Sequence, residues 1–277
     1  MVRVARLVAL VCLLTVTPSG AQAQSAAVST CGQIVSGEAH LTNDLDCAPS
    51  FAGSVIVEGG SLDLRGFTIR GGEVGVLCVH PIWEENVFIY KKCRVFGGTI
   101  ADYEVAGIAA KKLDVVDVAL TSGSGLAVVA HKTLRFANLA IDAGTESGDA
   151  GIFTLNGAVK GTNLTLQGGA QAIWAGKLDV DGMVASGSAD AVIRANAVRL
   201  RNASLTGGGA GVRGGKKATI ENSTITGYAE EGVQAQRIRL VASTVTGNGL
   251  DLHAQQARLL DGSTCGTSSG LGVCTAD

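Results

Sequence analysis

Apolar and polar residues alternate along short stretches of this chain, and the same alternation returns about every twenty residues. The repeats align on a column formed by Gly66, Gly97, Asp117, Asn138, Asn163, Gly182, Asn202, Asn222, Ala242 and Asp261. Nine of these ten are Gly, Asn or Asp, the types that tolerate the left-handed backbone of a sharp corner. Two residues before the corner stand Leu64, Val95, Val115, Phe136, Gly161, Val180, Leu200, Ile220, Leu240 and Leu259. Four before it stand Leu62, Cys93, Leu113, Leu134, Val159, Leu178, Val198, Ala218, Ile238 and Ala257. Between these apolar columns runs a polar one: Asp63, Arg94, Asp114, Arg135, Lys160, Asp179, Arg199, Thr219, Arg239 and Arg258. In, out, in is the period of two that a strand requires, and it excludes helix. Three residues after the corner an inward position recurs, from Ile69 and Ile100 to Ile225 and Val245. A third inward position, from Val76 and Ile108 to Val233 and Leu252, precedes the corner. Each turn therefore carries about three strands.

Three short strands in one turn cannot bury their apolar residues alone, so successive turns must stack, each strand pairing in parallel with its equivalents above and below. The expected fold is all-β: a single-stranded parallel β-helix of about ten coils of roughly 20 residues, a rod about 50 Å long at about 4.8 Å per coil. The corner interval widens to 31 residues between Gly66 and Gly97 and to 25 between Asn138 and Asn163, so two coils carry outward loops. Residues 54–261 form the predicted helix, 24–53 an N-terminal cap and 262–277 a C-terminal cap or tail. The ends need capping, because each exposes unpaired strand edges.

Composition adds an address. Residues 1–23 carry Arg3 and Arg6, an apolar stretch from Leu7 to Val16 and the small-residue motif Ala21-Gln22-Ala23, the pattern of a secretory signal cleaved after Ala23. A membrane anchor is the alternative, but the apolar stretch is too short to span, and no other segment of the chain is long and apolar enough. The formal charge of −2, about −4 after loss of the leader, shows no bias toward nucleic acid. Cleavage removes Cys12 and leaves six cysteines, an even number in an exported chain. They fall into three local pairs, Cys31 with Cys47, Cys78 with Cys93 and Cys265 with Cys274, which would staple the caps and the base of the first loop. Spacings of 16, 15 and 9 lack the close Cys-x-x-Cys of zinc sites, so no metal is expected from them.

Several constellations bear on chemistry. The charged column alternates in sign closely enough to act as a solvated cross-strand ladder, with Arg199, Arg239 and Arg258 left over as a row for a charged polymer. Asp179 and Asp181 project from one strand face and form the one weak calcium candidate; their basic neighbours Arg199, Arg201 and Lys160 favour a salt-bridge patch instead. In the first loop, Trp83 and Tyr90 are suited to stack on sugar rings, and Glu84, Glu85 and Lys92 to bind or transfer protons. A further outward column runs Leu77, Ala109, Val129, Phe153, Trp174, Ile193, Arg213, Gln234 and His253. Phe153 and Trp174, beside Arg194 and Arg213, form an aromatic strip with a basic edge suited to a glycan groove, which the second loop, Asp142 to Asp149 with Glu146, is placed to line.

The opening Leu41-Thr42-Asn43-Asp44-Leu45-Asp46-Cys47, followed by Leu62-Asp63-Leu64-Arg65-Gly66-Phe67-Thr68-Ile69, resembles the start of many secreted right-handed parallel β-helix repeat proteins related in fold to pectate lyases. The resemblance covers roughly residues 30–265 and implies right-handedness. It is weak for activity, because that group holds lyases, hydrolases, epimerases, adhesins and members without known chemistry. The Gly-His-Gly and paired-aspartate pattern of polygalacturonase-like hydrolases, the Asp-Pro-His-Asp of alginate epimerases and a clear pectate-lyase signature are all missing. The first expectation is an exported protein that binds an extracellular or cell-envelope polysaccharide; if it also modifies it, the enzyme would be a polysaccharide lyase or a glycoside hydrolase. The alternative is a non-enzymatic surface protein mediating protein contacts.

Overall fold

Left-handed corners recur at a fixed interval and set the architecture. The computed structural model describes residues 25–49, 52–82, 87–142, 151–168, 171–269 and 274. All ten residues of the corner column have positive φ, from 47° at Ala242 to 81° at Gly66. Asparagine suits this position twice over, since it accepts the left-handed backbone and its amide bridges to the coil before it. Asn138 Nδ2 donates to Asp117 Oδ1 (2.6 Å), and Asn163 Nδ2 to Asn138 Oδ1 (2.7 Å). A second left-handed corner follows five residues later, at Gly71, Asp102, Ser122, Gly168, Gly187, Gly207, Gly227 and Gly247. The alignment above does not contain it.

The strands between corners pair in parallel, coil on coil. Leu113 pairs with Leu134, Leu134 with Val159 and Val159 with Leu178; farther along, Ile238 pairs with Ala257. This parallel register already holds at Ala26–Val28 against Ala39–Leu41 and still holds at Ser268–Ser269 against Leu252–His253. The result is a parallel β-solenoid of about 11 turns, with no helix among the described residues. The inward rows fill its core: Leu200, Ile220 and Leu240 are fully buried, as are Ile69, Ile100 and Leu120 in the second strand. Thr219 departs from expectation. The alternation places it outward, yet it is 7% exposed, because its short side chain sits between two longer ones in the column, Arg199 and its register partner Arg239.

The charged column does not form the expected rungs either. Asp114 and Arg135 are register partners without an ion pair between them; Asp114 instead meets Lys92 at 3.7 Å, and Arg199 meets Glu221 at 3.3 Å. Long basic side chains reach diagonally to a neighbour as readily as straight across.

All three local disulfides form, with α-carbon separations of 5.6 Å for Cys31–Cys47, 6.1 Å for Cys78–Cys93 and 5.1 Å for Cys265–Cys274. Such bonds persist in oxidising compartments. The C-terminal end is also closed by polar bonds. Asp251, 1% exposed, accepts from the backbone N–H groups of Asn248 (3.1 Å), Gly266 (2.9 Å) and Thr267 (2.8 Å) and from the side chains of Asn248 (2.9 Å) and Thr267 (3.2 Å). Behind it a serine ladder links successive coils, with the N–H of Ala203, Ser223 and Ser243 donating in turn to the hydroxyls of Ser223, Ser243 and Ser263.

Candidate functional site

The outward column beside the third inward position builds a groove along one side of the solenoid. Phe153 lies in register between Val129 and Trp174, so each step along this face is one coil. The rings of Phe153 and Trp174 meet edge-on, 5.7 Å between centroids at 78°. This arrangement leaves one face of the indole accessible, and Trp174 is 48% exposed. The Arg194 guanidinium sits 5.9 Å from its ring centre, within cation–π range. Trp174, Arg194, Arg213, Gln234 and His253 line an open groove of about 640 Å³, whose wall carries the amides of Asn156, Asn196, Gln236 and Gln255.

Charge in the groove is organised around Arg213. It meets Asp190 at 2.8 Å, pairs with Glu230 and lies 3.7 Å from Glu231. Asp190 also takes Arg194 at 3.0 Å, while Glu231 lies 3.6 Å from His253 Nδ1. The carboxylates beside the groove are thus engaged by cations. Ring stacking, a cationic rim and amides able both to donate and to accept suit the binding of a hydroxyl-rich ring system.

The first loop folds as an antiparallel hairpin, Val79–Ile82 against Val87–Tyr90, on the same face. It explains why Leu77 and Ala109, expected outward, are buried: with Ile56, Val74 and Val79 they form a small second core against which Tyr90 and Val129 pack. Tyr90 stacks on His131 at 4.2 Å, so its ring helps hold the hairpin down, and Lys92 is engaged by Asp114. Val129 neighbours Phe153, which places the hairpin base at the end of the aromatic strip. Ile193, expected outward in this column, is instead fully buried and belongs to the main apolar core. Trp83, Glu84 and Glu85 lie outside the described residues, as do the signal segment and Glu146 with most of the second loop.

Asp179 and Asp181 face a guanidinium. Arg201 donates to Asp179 at 2.9 Å and to Asp181 at 3.3 Å, and Asn202 donates to Asp181 at 2.7 Å. Hydrogen bonds from Asn202 and Arg201 hold the Asp181 carboxyl below its ordinary range. A cation there would have to displace Arg201. Among the described residues no group of three or more His, Cys, Asp or Glu is arranged to hold a metal.

The sequence reading missed Gln236, Gln255, Asn156 and Asn196, because amides at corners look like turn formers. Their signal was available: Gln236 and Gln255 occupy equivalent positions one coil apart, with Ala235 and Ala254 in register. No family model, no curated protein and no solved structure matches this chain.

Proposed function

We propose that the protein is an exported member of the right-handed parallel β-helix proteins related in fold to pectate lyases, released by cleavage of its leader near Ala23, and that it binds an extracellular or cell-envelope polysaccharide along the Trp174 groove. The observation that carries the reading is Trp174: a large aromatic ring left half exposed on a rigid sheet, flanked by Phe153 and Arg194 and opening on a row of amides. A half-exposed indole on a rigid sheet offers a flat apolar face with a polar edge, the surface on which a sugar ring stacks. Three disulfides support export, and among the described residues no helix is long and apolar enough to cross a membrane. The ion pairing of Asp190, Glu230 and Glu231 favours binding over bond cleavage, since a general acid or base must be free to exchange its proton.

The test is a screen of the mature protein against immobilised polysaccharides, repeated with Trp174→Ala. The reading expects at least one hit that the variant loses at an unchanged melting temperature. A screen without hits, or a variant that binds as well as the parent, contradicts it.

A further inference from the structure

All the lysines of this chain but Lys160 stand at one edge of the solenoid. At the corner between the third inward strand and the next, six coils present Lys91-Lys92, Lys111-Lys112, Lys132, Lys177, Lys216-Lys217 and Arg237, the intervening coils at Asn156 and Asn196 carry no base, and the other corner positions are filled by Leu, Asn, Gln, Gly, Ala, Thr and His without one acid. Register stacks them: Lys92 pairs with Lys112 and Lys217 with Arg237, while the Lys111 N–H donates to the Lys91 carbonyl at 2.9 Å. Some sheet arginines are answered by carboxylates, as at Arg194, Arg199, Arg201 and Arg213, while Arg94, Arg135, Arg239 and Arg258 have none within 4.0 Å among the described residues. At this edge Lys92 alone has such a partner, Asp114; among the described residues none of Lys111, Lys112, Lys132, Lys177, Lys216 and Lys217 has a carboxylate within 4.0 Å.

The edge is also hollowed. Ile173 to Leu178 is a step of five residues, whereas Ile152 to Val159 takes seven and Val192 to Val198 takes six, so the corner at Gly176-Lys177 is shorter than both its neighbours. Lys132, Lys177 and Lys216 line the resulting trough of about 440 Å³, together with Asn156 and Asn196. Gly176 keeps its floor low: a β-carbon there would stand 2.4 Å from the Asn156 carbonyl oxygen.

Like charges stacked directly across strands destabilise a sheet, and the register pairs Lys92–Lys112 and Lys217–Arg237 each carry that cost. The fold gains nothing visible from it, and the chain as a whole is slightly acidic at −2. A linear row of cations is complementary to a linear row of anions.

We propose that this edge is a docking surface for an anionic glycan chain, bearing carboxylate, sulfate or phosphate groups, laid along the solenoid axis over Lys111, Lys132, Lys177 and Lys216. It goes beyond the groove reading and does not rest on it, because the lysines lie outside the lining of the Trp174 groove.

The experiment measures binding of the whole mature protein to heparin, a polyuronate, a poly(glycerol phosphate), neutral dextran and phosphatidylserine vesicles, from about 50 to about 200 mM salt. At least one anionic glycan is expected to bind more tightly than dextran and vesicles, weakening at least about tenfold across that salt range. The triple variant Lys132→Gln/Lys177→Gln/Lys216→Gln should lose at least about tenfold, while the charge-matched Arg70→Gln/Arg94→Gln/Arg135→Gln, at exposed positions elsewhere, should stay within about twofold of the parent. Which of the three glycans binds identifies the anionic group. Binding that survives in Trp174→Ala supports a surface separate from the groove. Equal losses in the two triple variants, a preference for vesicles, or no preference for any anionic glycan over dextran would overturn the proposal.

Discussion

Replacing Asp251 by alanine takes the acceptor from five donors, of which the Asn248 amide alone has other partners, the Ile225 and Thr246 carbonyls at 3.3 Å. The carboxylate is buried, and every partner donates to it: three backbone N–H groups, one amide and one hydroxyl. That is the set an ionised carboxylate takes. A hydrogen bond to a charged group contributes about 1.5–3 kcal/mol, a buried donor left unsatisfied costs about 1–3 kcal/mol, and the five are not additive, so the sum falls to about 3–5 kcal/mol. Asp251→Ala is therefore expected to cost about 3–5 kcal/mol, a large share of the stability of an ordinary domain. The loss should be local at first, because a stacked repeat is stabilised chiefly by its immediate neighbours. Amide hydrogen exchange reads this directly. Asn248, Gly266 and Thr267 should lose protection, and so should Leu252, whose N–H donates to the Thr267 carbonyl at 3.1 Å, while Leu113 and Leu134 near the middle keep theirs. Asp251→Asn should fall between, since one oxygen remains and the new NH2 faces donors. Unchanged exchange at Gly266 and Thr267 in the alanine variant would refute the reasoning.

Ala242 holds a left-handed corner at φ 47°, so Ala242→Asn should raise the unfolding free energy from denaturant titration by about 1 kcal/mol; a lower value would show the corner is not strained. Burial pushes the phenols of Tyr103 and Tyr228 up, at Tyr103 with help from the Asp142 charge, and neither hydroxyl has a hydrogen-bond partner among the described residues. Stability from these neutral phenols is full below an unfolded value of about 10 and is lost as pH rises above it, so two of the three tyrosines should ionise only with unfolding in an alkaline absorbance titration. Ile220→Asp should abolish folding by circular dichroism, since an unpaired carboxylate in the core costs several kcal/mol.

What was legible follows from locality. The corner column could be read because positive φ restricts residue type at a single position, and the strand rows because burial alternates with period two. The second corner carried a signal too, in the repeated Leu205-Thr206-Gly207, Ile225-Thr226-Gly227 and Val245-Thr246-Gly247. Asp102 and Ser122 at the same position blur it. The burial of Asp251 could not be read from its neighbours, since it depends on the return of Gly266 and Thr267 over the last coil. The ion pairs were misplaced for a related reason: register fixes α-carbons, while an arginine side chain selects among several carboxylates within reach. In the site, Phe153 and Trp174 were predictable because their backbones are in register, whereas Ile193 was not, because its side chain joins the main core against the alternation of its column.

The central functional claim is that a glycan lies on the indole of Trp174. Trp83 and Trp174 are the only tryptophans, so Trp83→Phe leaves one reporter in the groove. Titrating that variant with a polysaccharide identified in the screen should shift its emission to shorter wavelength in a saturable way, with the same midpoint as calorimetry, as the stacked ring leaves water. Binding seen by calorimetry with no change in Trp174 emission would place the ligand elsewhere and contradict the account.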